Sequence, residues 1–417
     1  MPKQNFLKLL EKEVSRIDNA NVSKRNEKII ERFNGTKAVL TINKENKKEE
    51  KEFLIFNSND YLGLRHNEKL KKAEHLGTEK FGTGPGAVRF ISGTLKIHRD
   101  LEKALSKFHE RDDSIVFSSA FAANMAVIHS LIKGQSKDSL VHENVLVISD
   151  ELNHRSIIDG IRIANLPKDQ RIVFKHLDLE NLKEILDQNK GKYKRVLVIS
   201  DGIFSMLGEY QDLKKLQEIC DSYDNFYEEG IITIIDDSHG VACFGLNGKG
   251  CEEFCNAKCD VLIGTLGKGF GCDGGYIVSN KEIIDYLRES SATYIYSNSI
   301  SPGTASAALE SLKLLQSNEG KQLLKKLNEN INYFKNKIKK TNLVLATDSK
   351  HAIQPLLIGD SEKSKKLTEK LFNNGILVTS INYPVVPKGK DEIRIQINAS
   401  HEKEEIDYLI ETIVKNI

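Results

Sequence analysis

Long apolar runs are missing from the sequence. No stretch approaches the roughly 20 consecutive apolar residues that a membrane-spanning helix needs, although hydrophobic residues make up 39% of the 417-residue chain, enough for a sizeable core. Residues 1–28 mix acidic and basic residues around spaced apolar ones, which favours an amphipathic helix over a signal peptide. The expected compartment is the cytoplasm, with the mitochondrial matrix as the alternative.

Net charge is nearly absent, and cysteine is scarce. The 61 Lys and Arg residues against 59 Asp and Glu leave a formal net charge of +2, which excludes a global bias toward nucleic acids or anionic membranes. The six cysteines include no Cys-x2-Cys pair. Cys251, Cys255 and Cys259 are therefore expected to be buried, reduced thiols, and no metal site is predicted.

Short, β-branched apolar runs indicate the fold class. Runs of this kind are typical of strands that are covered on both faces, so the sequence predicts an α/β fold with a mainly parallel central sheet and helices on both faces. The runs are Ile115–Phe117, Val145–Ile148, Val173–Phe174, Val196–Ile199, Ile231–Ile235 and Val261–Ile263.

Three parts of the chain are expected. Residues 1–52 form an N-terminal helical arm with short strands, in which the charged segment Asn43–Lys51 is predicted to be a solvated turn. Residues 53–301 form the large α/β domain. Residues 302–417, in which a long amphipathic helix precedes short strands and further helices, form a smaller α+β domain.

Polar residues follow five of the six apolar runs. The carboxyl ends of strands in an open α/β sheet line the ligand crevice, so these residues are expected to form one site; ordinary polar loops are the alternative. They are Ser118–Ser119, Ser149–Asp150, Ser200–Asp201, Asp236–Asp237 and Gly264–Thr265.

The glycine-rich segment Gly264–Gly271 contains a single lysine, Lys268. A lysine at this place could form a Schiff base with an aldehyde cofactor, and Thr265 could hold the phosphate of that cofactor. The glycines would let a flat group approach the backbone closely. The alternative is a mobile loop with a solvated lysine.

Three further segments suit a pyridine cofactor. Asp236 could lie beside a protonated ring nitrogen, and His239 could reach the ring oxygen. The alternative is that the two adjacent aspartates only cap a turn. His154 could stack on the ring, unless it is a surface histidine. Ser118–Asn124 leads from a strand into a helix, whose first amides could bind phosphate.

Together these segments resemble the α-oxoamine synthases, a fold-type-I family of pyridoxal-phosphate enzymes. The similarity runs from about Phe53 to about His401. It implies an enzyme that joins an amino acid to the acyl group of a coenzyme A thioester, or catalyses the reverse reaction. The segments most similar to family signatures are Asn57–Leu64, Asp201–Met206, Asp236–His239 and Gly264–Lys268.

The resemblance also implies a role for individual residues. The implied catalytic residues are Lys268, Asp236, His239 and His154. The implied cofactor-binding residues are Ala120, Phe121, His154, Ser205, Asp236, His239, Thr265, Lys268, Ser297 and Asn298. Ser297 and Asn298 would serve a second subunit, which implies a homodimer with shared active sites. The implied substrate-binding residues are Asn59, His154 and Arg394, and a guanidinium suits a carboxylate.

Within the family, Val88–Thr94, Tyr383–Gly389 and Arg394–Gln396 are most similar to the glycine C-acetyltransferases. These form glycine and acetyl-CoA from 2-amino-3-ketobutyrate and coenzyme A in threonine degradation. The alternatives are a 5-aminolevulinate synthase, another α-oxoamine synthase, and a non-catalytic pyridoxal-phosphate-binding partner subunit. A succinyl donor would need an added cation, for which Arg89 is the candidate. No nucleic-acid or membrane partner is expected.

Overall fold

The computed structural model describes residues 2–20, 23–25, 27–44, 47–383 and 385–417. The chain divides into two compact units, Met1–Ile55 and Phe56–Ile417. A further division near residue 302 stays a prediction. Among the described residues, no helix combines the length and the apolar character that crossing a bilayer requires.

The N-terminal unit contains the expected helix, α1 (Pro2–Asn19), none of whose residues is buried. Three strands follow: β1 (Ile30–Asn34), β2 (Lys37–Lys44) and β3 (Lys47–Ile55). They pair antiparallel in the order β1-β2-β3. The prediction of a turn over the whole of Asn43–Lys51 was wrong, because β2 and β3 continue into this segment; residues 45 and 46 lie outside the described residues.

The central sheet has seven strands in the order β4-β10-β9-β8-β7-β5-β6. Strands β6, β5, β7, β8 and β9 are parallel to one another, and β10 pairs antiparallel with both β9 and β4. The strands are β4 (Asp113–Phe117), β5 (Val145–Asp150), β6 (Arg171–Phe174), β7 (Arg195–Asp201), β8 (Ile231–Asp236), β9 (Val261–Thr265) and β10 (Gly275–Ser279). All six predicted runs lie in strands; β10 was not predicted.

Alternate residues of the buried strands belong to two separate cores, because successive side chains of a strand point to opposite faces. In β5, Val145 and Val147 pack into one core. Leu146 and Ile148 pack into the other. Two helices, α4 (Ala120–Ile132) and α5 (Arg155–Ala164), contribute residues to the first core. Two others, α6 (Leu179–Gln188) and α7 (Leu213–Tyr223), contribute residues to the second. The sheet is therefore covered on both faces, as the apolar runs predict.

Helices connect and flank these strands. Those that precede residue 302 are α2 (Glu68–Phe81), α3 (Lys96–His109), α4 (Ala120–Ile132), α5 (Arg155–Ala164), α6 (Leu179–Gln188), α7 (Leu213–Tyr223), α8 (Cys251–Cys255), α9 (Lys281–Ser290) and α10 (Ala292–Ile295). Those that follow are α11 (Pro302–Leu315), α12 (Asn318–Ile338), α13 (Ser361–Asn373) and α14 (Lys403–Asn416).

A smaller sheet lies in the C-terminal part of the chain. It consists of β11 (Ile353–Leu357), β14 (Glu392–Gln396) and β13 (Thr379–Ile381), antiparallel in the order β11-β14-β13. Residues 376–381 form two short strands, β12 (Ile376–Leu377) and β13. The mainly parallel sheet with helices on both faces, together with this smaller sheet, confirms the predicted fold class.

Candidate active site

The carboxyl ends of four strands converge on one cavity with a volume of about 240 Å³. Asp201 ends β7 and lies directly beside Asp236, which ends β8. Thr265 ends β9, and Ser119 follows β4. The residues around the cavity are Ser119, Ala120, Phe121, Asn124, His154, Ser156, Asp201, Ile203, Ser205, Asp236, Ser238, His239, Thr265 and Lys268. The parallel sheet thus brings together most of the residues that the sequence marks.

Lys268 lines this cavity and contributes an amine to it. Burial lowers the pKa of the amine to about 8, the charges of Asp236 and Asp201 oppose that shift, and the charge of Arg394 adds to it. A lysine with such a pKa is partly neutral near pH 8, and the neutral amine is the form that attacks an aldehyde or accepts a proton. The environment therefore prepares Lys268 for covalent chemistry rather than for solvation.

The glycines around Lys268 serve protein packing. A Cβ atom on Gly264 would lie 2.3 Å from the ring of Tyr276, and one on Gly271 would lie 2.5 Å from the backbone of Arg65. A Cβ atom on Gly269 would lie 3.0 Å from Ala242. The interpretation that the glycines admit a flat ligand was wrong for these three, because protein atoms occupy the space that they leave. A Cβ atom on Gly267 would lie 3.5 Å from Thr265 Oγ1, so the interpretation stays a prediction there.

The two adjacent aspartates, Asp236 and Asp237, play different parts. Asp236 lines the cavity and accepts hydrogen bonds from Asn124 Nδ2 at 2.5 Å and from the Ser238 amide at 3.0 Å. Asp237 instead accepts a hydrogen bond from the Cys251 amide at 2.6 Å. Asp236 thus fits the interpretation of a carboxylate that faces a ligand, and Asp237 fits the interpretation of a carboxylate that caps a turn.

Asp201 contributes a second carboxyl group to the cavity. Burial and the neighbouring Asp236 raise the pKa of Asp201 well above its ordinary value. Among the described residues, the one donor to its side chain is the His154 amide, at the long distance of 3.3 Å, whereas Asp236 accepts two shorter hydrogen bonds. The negative charge of the pair therefore belongs on Asp236, because hydrogen bonds to a carboxylate favour its charged form.

Both cavity histidines are neutral. Burial lowers the pKa of His154, whose Nδ1 lies 2.7 Å from Ser156 Oγ. Burial, assisted by the charges of Lys268 and Arg394, lowers the pKa of His239 well below its ordinary value. The Nδ1 atom of His239 lies 2.7 Å from the hydroxyl of Tyr61, a fully buried residue.

The start of α4 offers backbone amides to an anion. Ser119 caps this helix by accepting the Ala122 amide at 3.1 Å, and Ala120 and Phe121 line the cavity. Gly275 makes the close approach of β10 possible, because a Cβ atom there would lie 2.2 Å from the Ala120 nitrogen. The positive end of a helix and its unpaired amides favour phosphate, and the Thr265 hydroxyl lies on the same cavity wall.

These features fit pyridoxal phosphate. The cavity supplies an amine for an aldehyde, a carboxylate for a ring nitrogen, and a helix start with a hydroxyl for a phosphate. It also contains the buried Ser238 hydroxyl, which has no hydrogen-bond partner among the described residues. Buried polar groups are seldom left unpaired in native proteins, so this hydroxyl suits a ligand oxygen.

Arg394 and Asn59 lie beyond the cavity wall. Arg394 Nε donates a hydrogen bond to the Ser205 carbonyl oxygen at 2.6 Å. Asn59 Oδ1 accepts one from Gln396 Nε2 at 2.7 Å. Arg394 and Gln396 alternate along β14 with the fully buried Ile393 and Ile395, so their side chains leave the strand on the opposite face.

Ser297 and Asn298 do not line the cavity of their own chain. Both lie after the short helix α10; Ser297 is half-buried and Asn298 is exposed. The structure therefore does not bring these two residues together with Lys268. Their implied role at the site of a second subunit stays a prediction.

Arg89 is directed away from the cavity. Its guanidinium lies 3.0 Å from Glu102 in an ion pair whose side chains are each 1% exposed. Its Nε also donates to Thr94 Oγ1 at 3.1 Å. Glu102 already compensates the buried charge of Arg89, and Arg89 is not among the residues that line the cavity, so we expect it not to hold a succinyl carboxylate.

Sequence reasoning assigned no individual role to Tyr61, Asn124 or Ser238, and it placed Asp201 in the site without a role of its own. Asn124 could have been noticed as a polar residue within the apolar helix α4. Asp201 and Ser238 stand inside segments that the sequence singled out. Tyr61 gives no local signal of its contact with His239, because 178 residues separate the two in sequence.

Glu392, two residues before Arg394, provides a test of buried charge. It is 0% exposed, and neither carboxyl oxygen has a hydrogen-bond partner among the described residues. Burial raises its pKa from 4.5 to about 8, although Arg394 opposes the shift. Because folding raises this pKa, protonation of Glu392 stabilises the folded state. That stabilisation is fully present below pH 4.5 and is lost as pH rises through about 8.

We therefore expect Glu392→Gln to be more stable than the parent at pH 8.5, by about 4 kcal/mol, and nearly equal to it at pH 5. Urea unfolding at the two pH values measures this difference. Glu362→Gln, on the exposed start of α13, is the matched control and should change neither value. Equal destabilisation by Glu392→Gln at both pH values would mean that the carboxylate has a partner.

Comparison with known proteins identifies the family. Residues 51–413 match the family described as aminotransferase class I and II. The chain is 40% identical to the 8-amino-7-oxononanoate synthase of Petrotoga mobilis, over 86% of this chain and 87% of that one. It is 39% identical to the 8-amino-7-oxononanoate synthase of Thermosipho melanesiensis, over 88% of each chain.

A solved structure shares the fold. Serine palmitoyltransferase from S. paucimobilis, with a bound PLP–myriocin aldimine, superimposes with a TM-score of 0.84 at 24% identity, over 98% of this chain and 96% of that one. These similarities agree with the fit of the cavity residues to pyridoxal phosphate. The chain belongs to the aminotransferase class I and II family and, within it, to the pyridoxal-phosphate-dependent α-oxoamine synthases.

Proposed function

We propose that this enzyme condenses a small amino acid with a coenzyme A thioester, releasing carbon dioxide and coenzyme A, and that its product is 8-amino-7-oxononanoate. The observation that carries the condensation is the convergence of the Lys268 amine and the Asp236 carboxylate on one cavity, with the Arg394 guanidinium close enough to lower the pKa of Lys268. The curated relatives, at about 40% identity over most of the chain, support the product.

The structure of that product defines the reactants. Its terminal unit, a methyl and an amino group on the carbon next to a ketone, is what remains of alanine after its carboxylate leaves. The other seven carbons form a dicarboxylic acyl chain. Alanine and a seven-carbon dicarboxylic acyl thioester are therefore the proposed substrates.

Lys268 and Asp236 have the main chemical roles in this proposal. When bound, pyridoxal phosphate supplies an aldehyde for amines and a ring that withdraws electrons from the substrate α-carbon. Asp236 keeps its negative charge through Asn124 and the Ser238 amide, and so holds a proton on the ring nitrogen. Lys268, partly neutral near pH 8, removes the α-proton of the amino acid and later returns a proton.

The remaining residues bind and orient. Arg394 and Asn59 hold the substrate carboxylate through charge-assisted hydrogen bonds. With pyridoxal phosphate bound, the neutral imidazole of His154 would lie against the ring, and His239 and Ser205 would serve its oxygen. Ala120, Phe121 and Thr265 would hold the phosphate.

A second candidate is glycine C-acetyltransferase activity, which Arg89 favours. Arg89, the cation of the Val88–Thr94 segment, is held in its ion pair with Glu102. The segment therefore suits a short neutral acyl group better than a short dicarboxylic one. The similarity of Val88–Thr94 and Arg394–Gln396 to glycine C-acetyltransferases supports the same substrate pair. Pro384, within the third similar segment, lies outside the described residues.

A panel of substrates separates the two candidates. Purified enzyme is given alanine, glycine or serine with acetyl-, succinyl-, pimeloyl- or palmitoyl-CoA, and the free thiol is followed. We expect the highest kcat/KM for alanine with pimeloyl-CoA, and acetyl-CoA to exceed succinyl-CoA by at least about tenfold, or 1.4 kcal/mol. A maximum for glycine with acetyl-CoA would select the second candidate, and no thiol release from any pair would contradict both.

We also propose that the active enzyme is a homodimer in which Ser297 and Asn298 bind the phosphate at the neighbouring subunit's site. Chains carrying Ser297→Asp, mixed with chains carrying Lys268→Ala, should then regain up to one working site per mixed dimer, because the two defects fall in one site. Arg394→Ala mixed with Lys268→Ala is the control and should regain nothing, since each site then contains one defect. Confirmed subunit exchange without rescue would argue against shared sites.

A further inference from the structure

His176, directly after β6, lies between two carboxylates. Its Nδ1 is 2.9 Å from Asp150 Oδ1, and its Nε2 is 3.0 Å from Glu209 Oε2. An ionised carboxylate only accepts hydrogen bonds, so both ring nitrogens must donate, which requires a positively charged ring. Burial alone would lower the pKa of His176, but the hydrogen bonds and charges of Asp150 and Glu209 outweigh it and raise the pKa to about 9.

One of the two carboxylates is fixed to the central sheet. Asp150 ends β5, and its side chain is 0% exposed. It also accepts the amides of Leu152 and Leu177, at 2.8 and 2.9 Å. Asp150 is therefore a rigid anchor for the ring of His176.

The other carboxylate belongs to the loop that follows β7. Within this loop the Glu209 carbonyl oxygen accepts the Phe204 amide at 2.9 Å. The Phe204 ring lies edge-on to His176, with 4.4 Å between the ring centroids. The next residue, Ser205, lines the cofactor cavity and accepts Arg394 Nε through its carbonyl oxygen. A continuous set of contacts thus joins the charged histidine to the arginine.

We propose that His176 is a positioning residue that, as a positively charged bridge between Asp150 and Glu209, fixes the Phe204–Glu209 loop and so orients Arg394 for the amino-acid carboxylate. Neither ring nitrogen of His176 is free to touch the substrate, since each is held by a carboxylate. The inference rests on the proposed function only through the role of Arg394.

Proton loss from His176 should undo this arrangement. The charged groups that face it are Asp150 and Glu209 at the ring, and Glu151, whose carboxylate lies 3.5 Å from the His176 amide. Burial and the charge of Glu209 raise the pKa of Glu392 to about 8, so Glu392 is largely uncharged below that pH and adds little to the bridge. Asp150, Glu209 and Glu151 are acids, and they stabilise the charged ring until pH rises past about 9, where the bridge is lost.

The first test is a titration of His176 by NMR in the cofactor-free protein. We expect a pKa near 9, lowered toward that of a free histidine in Glu209→Gln. The exposed His75, paired with Glu79 on α2, is the internal comparison. A titration of His176 below pH 7 would overturn the bridge, whatever the enzyme catalyses.

The second test measures amino-acid binding to the cofactor-loaded protein from the change in cofactor absorbance, with alanine and glycine as probes. We expect His176→Gln and Glu209→Gln to weaken binding by at least about tenfold, while kcat at saturating amino acid changes by less than about threefold. His75→Gln should match the parent. The parent should lose affinity above about pH 9, and His176→Gln should not.

Two outcomes of the binding test would overturn the positioning role. One is an unchanged affinity for the amino acids in both variants, and the other is that neither alanine nor glycine binds to the parent. The NMR titration and the binding measurement need no turnover, which enters only the comparison of kcat values. Absence of thiol release from acyl-CoA would therefore contradict the proposed function without deciding this inference.

Discussion

Replacing Lys268 by alanine is expected to reduce kcat on the order of ten-thousand-fold, or about 5.5 kcal/mol of transition-state stabilisation. Two functions disappear with one amine: the covalent hold on the cofactor aldehyde and the transfer of the α-proton. The depressed pKa of Lys268, about 8, is the physical basis for both functions, because it keeps part of the amine neutral.

The fold should survive this change, since the lysine side chain projects into a cavity rather than into a core. Thermal unfolding of Lys268→Ala without cofactor should match that of the parent. Lys281→Ala, which removes an exposed lysine at the start of α9, is the matched control and should keep full activity. A Lys268→Ala enzyme within tenfold of the parent would remove this residue from the reaction.

Replacing Asp236 by asparagine should lower kcat by at least about 100-fold, or roughly 3 kcal/mol, while the cofactor still binds. The shape of the side chain is preserved, and its oxygen can still accept the Ser238 amide. What disappears is the charge that holds the proton on the ring nitrogen. The loss should therefore fall on kcat and on the visible spectrum of the bound cofactor, rather than on cofactor content.

Asp201→Asn provides the comparison for this prediction. Asp201 lies beside Asp236 at the end of the neighbouring strand, and burial together with Asp236 keeps its pKa high. The asparagine resembles the protonated form that Asp201 already has, so we expect less than about a tenfold loss. Equal losses in the two variants would mean that the charge is shared between both carboxyl groups.

Much of the site follows from the parallel sheet. Once Val196–Ile199 and Ile231–Ile235 are taken as neighbouring buried strands, Asp201 and Asp236 must emerge at the same edge. The same reasoning brings Thr265 and Ser119 to that edge. Local sequence was sufficient here because strand direction is fixed by the connecting helices and because the apolar runs are unambiguous.

Other features depend on contacts between distant parts of the chain. Strand β10 follows a glycine-rich turn and runs antiparallel, so the pattern of strand and helix that marks the other strands is absent. The direction of Arg89 depends on Glu102, one helix later, and the hydrogen bond of Tyr61 depends on His239. Three glycines near Lys268 are needed because Tyr276, Ala242 and Arg65 lie close to them. The sequence of the segment does not reveal these contacts.

The charged bridge at His176 shows the same limit. Its two carboxylates come from the end of β5 and from the loop after β7, and neither stands in a segment with a recognisable pattern around the histidine. Only the folded arrangement shows that both ring nitrogens are engaged, and hence that the ring is charged.

The central claim, that Lys268 holds pyridoxal phosphate in this cavity, can be tested by reducing the cofactor-loaded protein with borohydride and mapping the labelled peptide. The visible absorption of the protein should disappear on reduction, and the cofactor mass should be found on the peptide that contains Gly264–Gly271, at Lys268. Cofactor mass on a different lysine, or reduction that leaves no lysine labelled, would contradict the assignment of the site.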